Sequence, residues 1–250
     1  MLFDTHAHLN FNAYKDDVDE VIKRTLGNEV WVINVGSQYA TSKRAIEIAE
    51  RYPEGVYTAI GLHPIHTNEE EYDIVKYRAL AKSKRLVAIG EIGLDFKPEY
   101  ALYLYKERQR EIFLKQLDLA KELDLPVIFH CRMAHDELID LLKGYGAIKG
   151  VIHCFTGNQK QTEEYLKMGL YLGFNGIIFK MDLDKVIKKF PLDRILLETD
   201  CPYLTPPPKV GRNEPVYVKY VAEKISKIKN IEIEELKNIT TQNAKRLFKI

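Results

Sequence analysis

Short runs rich in Val, Ile, Leu and Tyr recur along the whole chain, each followed by a longer stretch in which apolar residues return every three or four positions. The first pattern predicts buried strands and the second predicts helices packed on one face. Strands are expected at Leu2–Leu9, Val30–Gly36, Val56–Leu62, Leu86–Ile92, Pro126–Arg132, Gly150–Phe155, Leu170–Gly176 and Arg194–Asp200. Between and after them, Ala45, Ile48, Ala49 and Tyr52 stand at i, i+3, i+4 and i+7, and Val218, Val221, Ala222 and Ile225 repeat those offsets. Glu107–Leu123 reads as the longest helix, with Phe113, Leu117, Ala120 and Leu123 on one face, and Glu232–Phe248 as the last. Eight strands alternating with helices over 250 residues match a (β/α)₈ TIM barrel in count and length. The competing arrangement, a doubly wound open sheet, lacks its usual GxGxxG turn after the first strand. Pro206-Pro-Pro208 is too short for an interdomain linker, so residues 1–250 read as one domain. Asn213 is expected to cap a helix with Pro215 in its first turn.

Charge narrows the function classes. The 37 basic and 36 acidic residues leave a net charge of +1, which argues against a protein that coats a polyanion through bulk charge. Any nucleic-acid contact must come from a local site. The opening Met1-Leu-Phe-Asp-Thr-His does not read as a signal peptide. No apolar run approaches the roughly 18 residues of a membrane helix. Cys131, Cys154 and Cys201 are odd in number and show no CxxC spacing, which suits a reducing compartment and predicts a cytoplasmic protein.

In a (β/α)₈ barrel the reactive groups come from the C-terminal ends of the strands. Five of the seven histidines fall there: His6 and His8 at the first strand, His63 at the third, His130 at the fifth and His153 at the sixth. Glu91 ends the fourth and Asp200 the eighth. Any one of these alone reads as a hydrogen-bonded core residue. Together, His6, His8, Glu91, His130, His153 and Asp200 on one rim would cost several kcal/mol in burial and repulsion. Two divalent cations resolve that cost. A mixed imidazole and carboxylate set suits Zn²⁺, Mn²⁺, Co²⁺ or Ni²⁺, whereas Mg²⁺ prefers an all-oxygen shell. The expected division places one ion with His6, His8 and Asp200 and one with His130 and His153, bridged by Glu91. Such a pair fits phosphodiester hydrolysis. Asp200 would orient the attacking water or take its proton, His63 would stabilise the phosphoryl oxygens or protonate the leaving oxygen, and Arg132 would contribute charge. The three cysteines are expected to point into the helix layer, with His66 and His135 as peripheral groups at helix starts.

The motifs resemble one family over nearly the whole chain, the TatD-type metal-dependent hydrolases related to the amidohydrolases. The matching blocks are DTHAHL at 4–9, GLHP at 61–64, GEIGLDF at 90–96, HCRMAH at 130–135, IHCFTG at 152–157, ETDCPYL at 198–204, RNEP at 212–215 and TTQNAKRLF at 240–248. The resemblance implies a (β/α)₈ barrel with a two-metal site and divalent-cation-dependent nuclease activity on DNA. It carries metal ligation onto His6, His8, Glu91, His130, His153 and Asp200, and places His63 near a substrate phosphate. Two departures stand out: Ile65 occupies the place of a second histidine after GLHP, with His66 one position later, and Lys209-Val210-Gly211 shortens the element before RNEP. Glu91 stands where classical amidohydrolases carry a carboxylated lysine.

The same metals would serve an esterase, lactonase or amidase, and a scaffold protein with a vestigial site is a third reading, weakened because all six ligands are present. Basic residues expected at the mouth, namely Arg132, Lys180, Lys209 and Arg212, favour phosphate. Tyr203, Phe96 and Phe155 are expected as rim aromatics on which unpaired bases stack. The expected substrate is therefore single-stranded or 3′-end DNA, bound with a shallow salt dependence. No membrane and no obligatory protein partner are expected.

Overall fold

The apolar runs form eight strands that pair only in parallel and each with the next in sequence. They are β1 (Leu2–Ala7), β2 (Val30–Val35), β3 (Val56–Ile60), β4 (Leu86–Asp95), β5 (Val127–Arg132), β6 (Gly150–Ile152), β7 (Tyr171–Phe174) and β8 (Ile195–Leu197). The computed structural model describes residues 1–100 and 102–250. The ring is closed just beyond β8, where Ala7 bridges Cys201, Asp200 N–H donates to the His6 carbonyl (2.9 Å) and His8 N–H to that of Cys201 (2.8 Å). This is the expected (β/α)₈ barrel. Burial on both faces is why its strands read as continuous apolar runs rather than alternating ones.

Helices α1 (Val18–Gly27), α2 (Tyr39–Ala49), α3 (Ile74–Leu80), α4 (Tyr103–Glu122), α5 (His135–Tyr145), α6 (Gln159–Lys167), α7 (Asp184–Lys189) and α8 (Val218–Lys229) cover the outside. Helix α9 (Ile233–Phe248) ends in Leu247 and Phe248, which pack with Phe3, Ile33, Ile128 and Leu196. That apolar cluster fills the barrel at the end opposite the histidines and leaves the other end free for polar side chains.

Three boundaries differ from expectation in ways that shape the site. Strands β6 and β8 stop short, so His153, Glu198 and Asp200 lie in the loops beyond them. Cys154 (φ 46°) and Asp200 (φ 57°) are left-handed, a conformation that ends a strand. Strand β4 instead runs on to Asp95, through a register shift between Gly90 and Ile92 that brackets Glu91; β1 has a similar shift between Asp4 and Ala7 that brackets His6. Bulges of this kind re-aim side chains beside active sites. Asn213 does not cap α8. Its amide donates to the carbonyls of Thr199 (3.0 Å) and Tyr203 (2.6 Å), tying the loop after β8 together, while Pro215 opens a separate 3₁₀ turn.

Candidate metal centre

The Glu91 carboxylate sits at the centre of the open end, with only 3% of its surface exposed. Its Oε2 lies 3.2 Å from His6 Nε2 and 3.8 Å from His8 Nε2; its Oε1 lies 2.7 Å from His130 Nδ1, 3.5 Å from His63 Nε2 and 3.9 Å from His153 Nε2. Asp200 Oδ1 approaches the same rings, at 3.4 Å from His8, 3.7 Å from His153 and 4.0 Å from His6. The structure thus brings all six predicted ligand residues together, and one carboxylate faces two groups of imidazoles with different oxygens.

Three of the rings have an acceptor close behind the outer nitrogen, whereas the buried His6 Nδ1 has no hydrogen-bond partner among the described residues. His8 Nδ1 lies 2.9 Å from the Val35 carbonyl, His153 Nδ1 2.8 Å from Glu198 Oε2, and His130 Nε2 3.0 Å from Asp95 Oδ2. An acceptor on the outer nitrogen holds the proton there and leaves the inner lone pair for an ion, the usual arrangement around bound metals. His63 differs: its Nδ1 accepts from Ile65 N–H (3.2 Å), so the neutral ring carries its proton on Nε2, facing the cleft.

Without an ion the cluster holds protons in its place: against the lowering effect of burial, Glu198, Glu91 and Asp200 push His153 up to about 10, and Asp95 and Glu91 raise His130, protons that a bound cation would displace. Burial alone would raise the Glu91 carboxyl, but His63, His6 and His153 outweigh it and hold the group well below the usual carboxylate range. Asp200 is likewise held low, by its bond to His8 and by the His153 and His6 charges, against the effect of burial. Burial and the His130 charge lower His63 to about 4, keeping it neutral. Desolvation and the neighbouring His153 lower His6. Among the described residues, donor atoms gather within 4.8 Å of one another in four groups, His6, His8 and Glu91; His63, Glu91 and His130; His6, His153 and Glu198; and His153, Cys154 and Asp200, so imidazole nitrogen and carboxylate oxygen dominate, with one thiol beside them. Divalent cations fit this donor set.

A cleft of about 570 Å³ opens above the cluster, walled by Arg132, Phe11, Ile177, Tyr203 and Leu204. A sequence model described as TatD related DNase matches residues 3–249. The chain belongs to that family. It is 45% identical to the "Uncharacterized metal-dependent hydrolase YabD" of Bacillus subtilis and 35% identical to the "3'-5' ssDNA/RNA exonuclease TatD" of Erwinia tasmaniensis, each comparison covering 100% of both chains. It superposes on the crystal structure of YJJV, a TatD homolog from Escherichia coli, with a TM-score of 0.91 at 30% identity, covering 100% of this chain and 98% of that one.

Several residues of this TatD-family chain sit elsewhere than expected. Arg212 is turned away from the cleft, bonded through both terminal nitrogens to Asp17 and lying over the Tyr14 ring. Lys209 lies against Tyr217, and neither it nor Lys180 lines the cleft. Phe155 is fully buried and Phe96 nearly so, under Lys106; of the three expected rim aromatics only Tyr203 is exposed, joined by Phe11. Arg132 does line the cleft, with its guanidinium on Asp95 at 2.6 and 2.9 Å. Cys201 is buried in the apolar layer beside α1, as expected, but Cys154 faces the cleft because its left-handed backbone breaks the alternation. His135 is buried against Tyr165 and Phe155, whereas His66 is paired with Glu69 at the cleft edge.

Three acids in the recognised motifs had no role assigned by sequence reasoning. Asp95 and Glu198 anchor His130 and His153; Asp4 accepts from Thr199 N–H (2.8 Å) and Oγ1–H (2.6 Å), holding β1 to the loop that bears Asp200. The available signal was the spacing Glu198-Thr-Asp200, two acids on one strand end where a single ligand was counted.

Proposed function

We propose that this chain is a two-metal phosphodiesterase that cleaves single-stranded or 3′-end DNA. The observation that carries the reading is the placement of Glu91, whose Oε2 faces His6 at 3.2 Å and whose Oε1 faces His130 at 2.7 Å. One ion would be held by His6, His8 and Asp200 and the other by His130 and His153, with Glu91 between them. When bound, such ions supply Lewis acidity towards a phosphoryl oxygen and bring the pKa of water from 15.7 towards about 7. The residues do the rest. Asp200, kept ionised by its imidazole neighbours, orients the attacking water and takes up its proton. His63, neutral with Nε2–H directed into the cleft, donates to a non-bridging phosphoryl oxygen; a ring lowered to about 4 is a hydrogen-bond donor at neutral pH rather than the acid for the leaving oxygen. Arg132, held by Asp95 at the cleft wall, adds positive charge where the phosphate would lie.

Arg132 and the nuclease names of the family and of the Erwinia relative favour phosphate over a carboxylic ester, lactone or amide. The test measures bound metal and turnover together, on a single-stranded DNA oligomer and on a panel of small esters. DNA cleavage that EDTA abolishes and added Mn²⁺, Zn²⁺ or Mg²⁺ restores is expected, with turnover nearly lost in Glu91→Ala. Near-normal turnover in Glu91→Ala with two metals still bound would sink the bridge, and ester hydrolysis without DNA cleavage would sink the substrate class.

A further inference from the structure

A second cavity, of about 560 Å³, lies beside the metal cleft and shares Phe11, Ser37, His66 and Tyr203 with it. The two differ in charge. Glu91 and Asp200 line the metal cleft, whereas among the described residues no carboxylate lines the side cavity, and its one arginine, Arg44, comes from helix α2. Arg44 is partly buried and has no hydrogen-bond or ion-pair partner among the described residues. Arginines elsewhere in the chain are engaged: Arg132 with Asp95, Arg212 with Asp17 and Arg51 with Asp19. The planar fork of donors on a guanidinium left without an acceptor matches a phosphate. The shared wall is aromatic. Phe11 is stacked on His8 (centroids 4.4 Å apart, planes 8° apart), and Tyr203, 55% exposed, stands beside it at 6.5 Å. A π-face at the junction of a metal site and an unpaired arginine suits an unpaired base with its phosphate.

We infer that the side cavity binds the nucleotide adjoining the one being cut, with its phosphate on Arg44 and its base against Tyr203. The inference rests on the phosphodiesterase reading above and extends it to a second, non-catalytic position on the strand. A paired base cannot turn its face to Tyr203, so this position also selects against duplex.

The test is fluorescence anisotropy of a labelled phosphorothioate octathymidylate on the metal-loaded protein across a salt series. Arg44→Gln should weaken binding about tenfold and lower the log–log salt slope by about 0.7, the share of one phosphate on a single strand. Arg44→Lys should keep the slope while losing part of the affinity. Tyr203→Ala should weaken binding about fivefold with the slope unchanged. Arg44→Gln within twofold of wild type, or an equal effect of Arg51→Gln outside the cavity, would overturn the inference. Should Arg44→Gln fail to fold, unchanged affinity in both Arg44→Lys and Tyr203→Ala would overturn it. Failure of the phosphodiesterase reading shows separately, as a metal-loaded wild type that leaves unmodified oligomer uncut while these binding differences stand or fall on their own.

Discussion

At the scale of single residues, the acids behind the histidines matter as much as the histidines. Glu198 sits 2.8 Å from His153 Nδ1 and also accepts from Cys154 N–H (3.0 Å), so it sets both the orientation of the ring and the loop that carries it. Replacing such a partner commonly lowers metal affinity or activity 10–100-fold. Glu198→Gln should therefore weaken Mn²⁺ binding by about that range in calorimetric titration; unchanged affinity would show that Glu198 serves folding alone. His135 gives a prediction about pH. Burial lowers it to about 4 from an ordinary 6.5, so between those values the unfolded chain binds a proton that the folded chain does not. Its contribution is complete above about pH 6.5 and is lost as pH falls towards 4, to a limit of about 3 kcal/mol. Urea unfolding at pH 7 and pH 5 should show a smaller stability loss on acidification for His135→Gln than for wild type.

At the scale of elements, the site depends on how closely neighbouring strands approach. A Cβ on Gly173 of β7 would lie 1.9 Å from Glu198 Oε1, and one on Gly93 of β4, where φ is +149°, would lie 2.0 Å from the His130 carbonyl. Gly173→Ala must therefore displace the carboxylate that anchors His153, with a stability loss of about 1–3 kcal/mol. Loss of turnover larger than the loss of folded protein at the assay temperature is the expected result. Wild-type turnover and melting temperature would mean that Glu198 has another place to go. Arg212, bound to Asp17 and leaning on Tyr14, braces the loop after β8 against the segment before α1 and does not contact the cleft. Such a partly exposed pair is worth about 1 kcal/mol or less.

For the whole molecule, ions that bind only the folded barrel should stabilise it by mass action. At a free concentration of 100 times Kd the gain is about 2.7 kcal/mol per site. Melting should move up on adding Mn²⁺ or Zn²⁺ and back with EDTA, and Glu91→Ala should blunt the shift; a melting temperature indifferent to cations would contradict the metal centre. The net charge of +1 and a cleft with few cations predict weak, shallowly salt-dependent DNA binding. Single strands and 3′ overhangs should be cut faster than blunt duplex, since groups recessed between Phe11 and Tyr203 reach only a strand whose bases are unpaired. Equal rates on blunt, circular and single-stranded substrates would rule this out.

The barrel and the six clustered residues were legible in the sequence alone. Parallel strands buried on both faces must be apolar throughout, and a buried polar group at a strand end stands out against that background, as His6 and Glu91 do. Side-chain directions inferred from strict alternation were less secure. The bulges at His6 and Glu91 and the left-handed turns at Cys154 and Asp200 re-aim side chains without a periodic signal, which is why Cys154 turned up in the cleft. Long cationic and aromatic side chains at the rim were the hardest to place. Arg212 found Asp17, 195 positions away, Phe155 went to the core, and Arg44, on an ordinary helical repeat, was left facing a cavity with no acceptor among the described residues. Periodicity and spacing determine which residues share a strand end, because they are properties of the local backbone. Which charge finds a partner depends on segments distant in the chain, and only the closed barrel decides it.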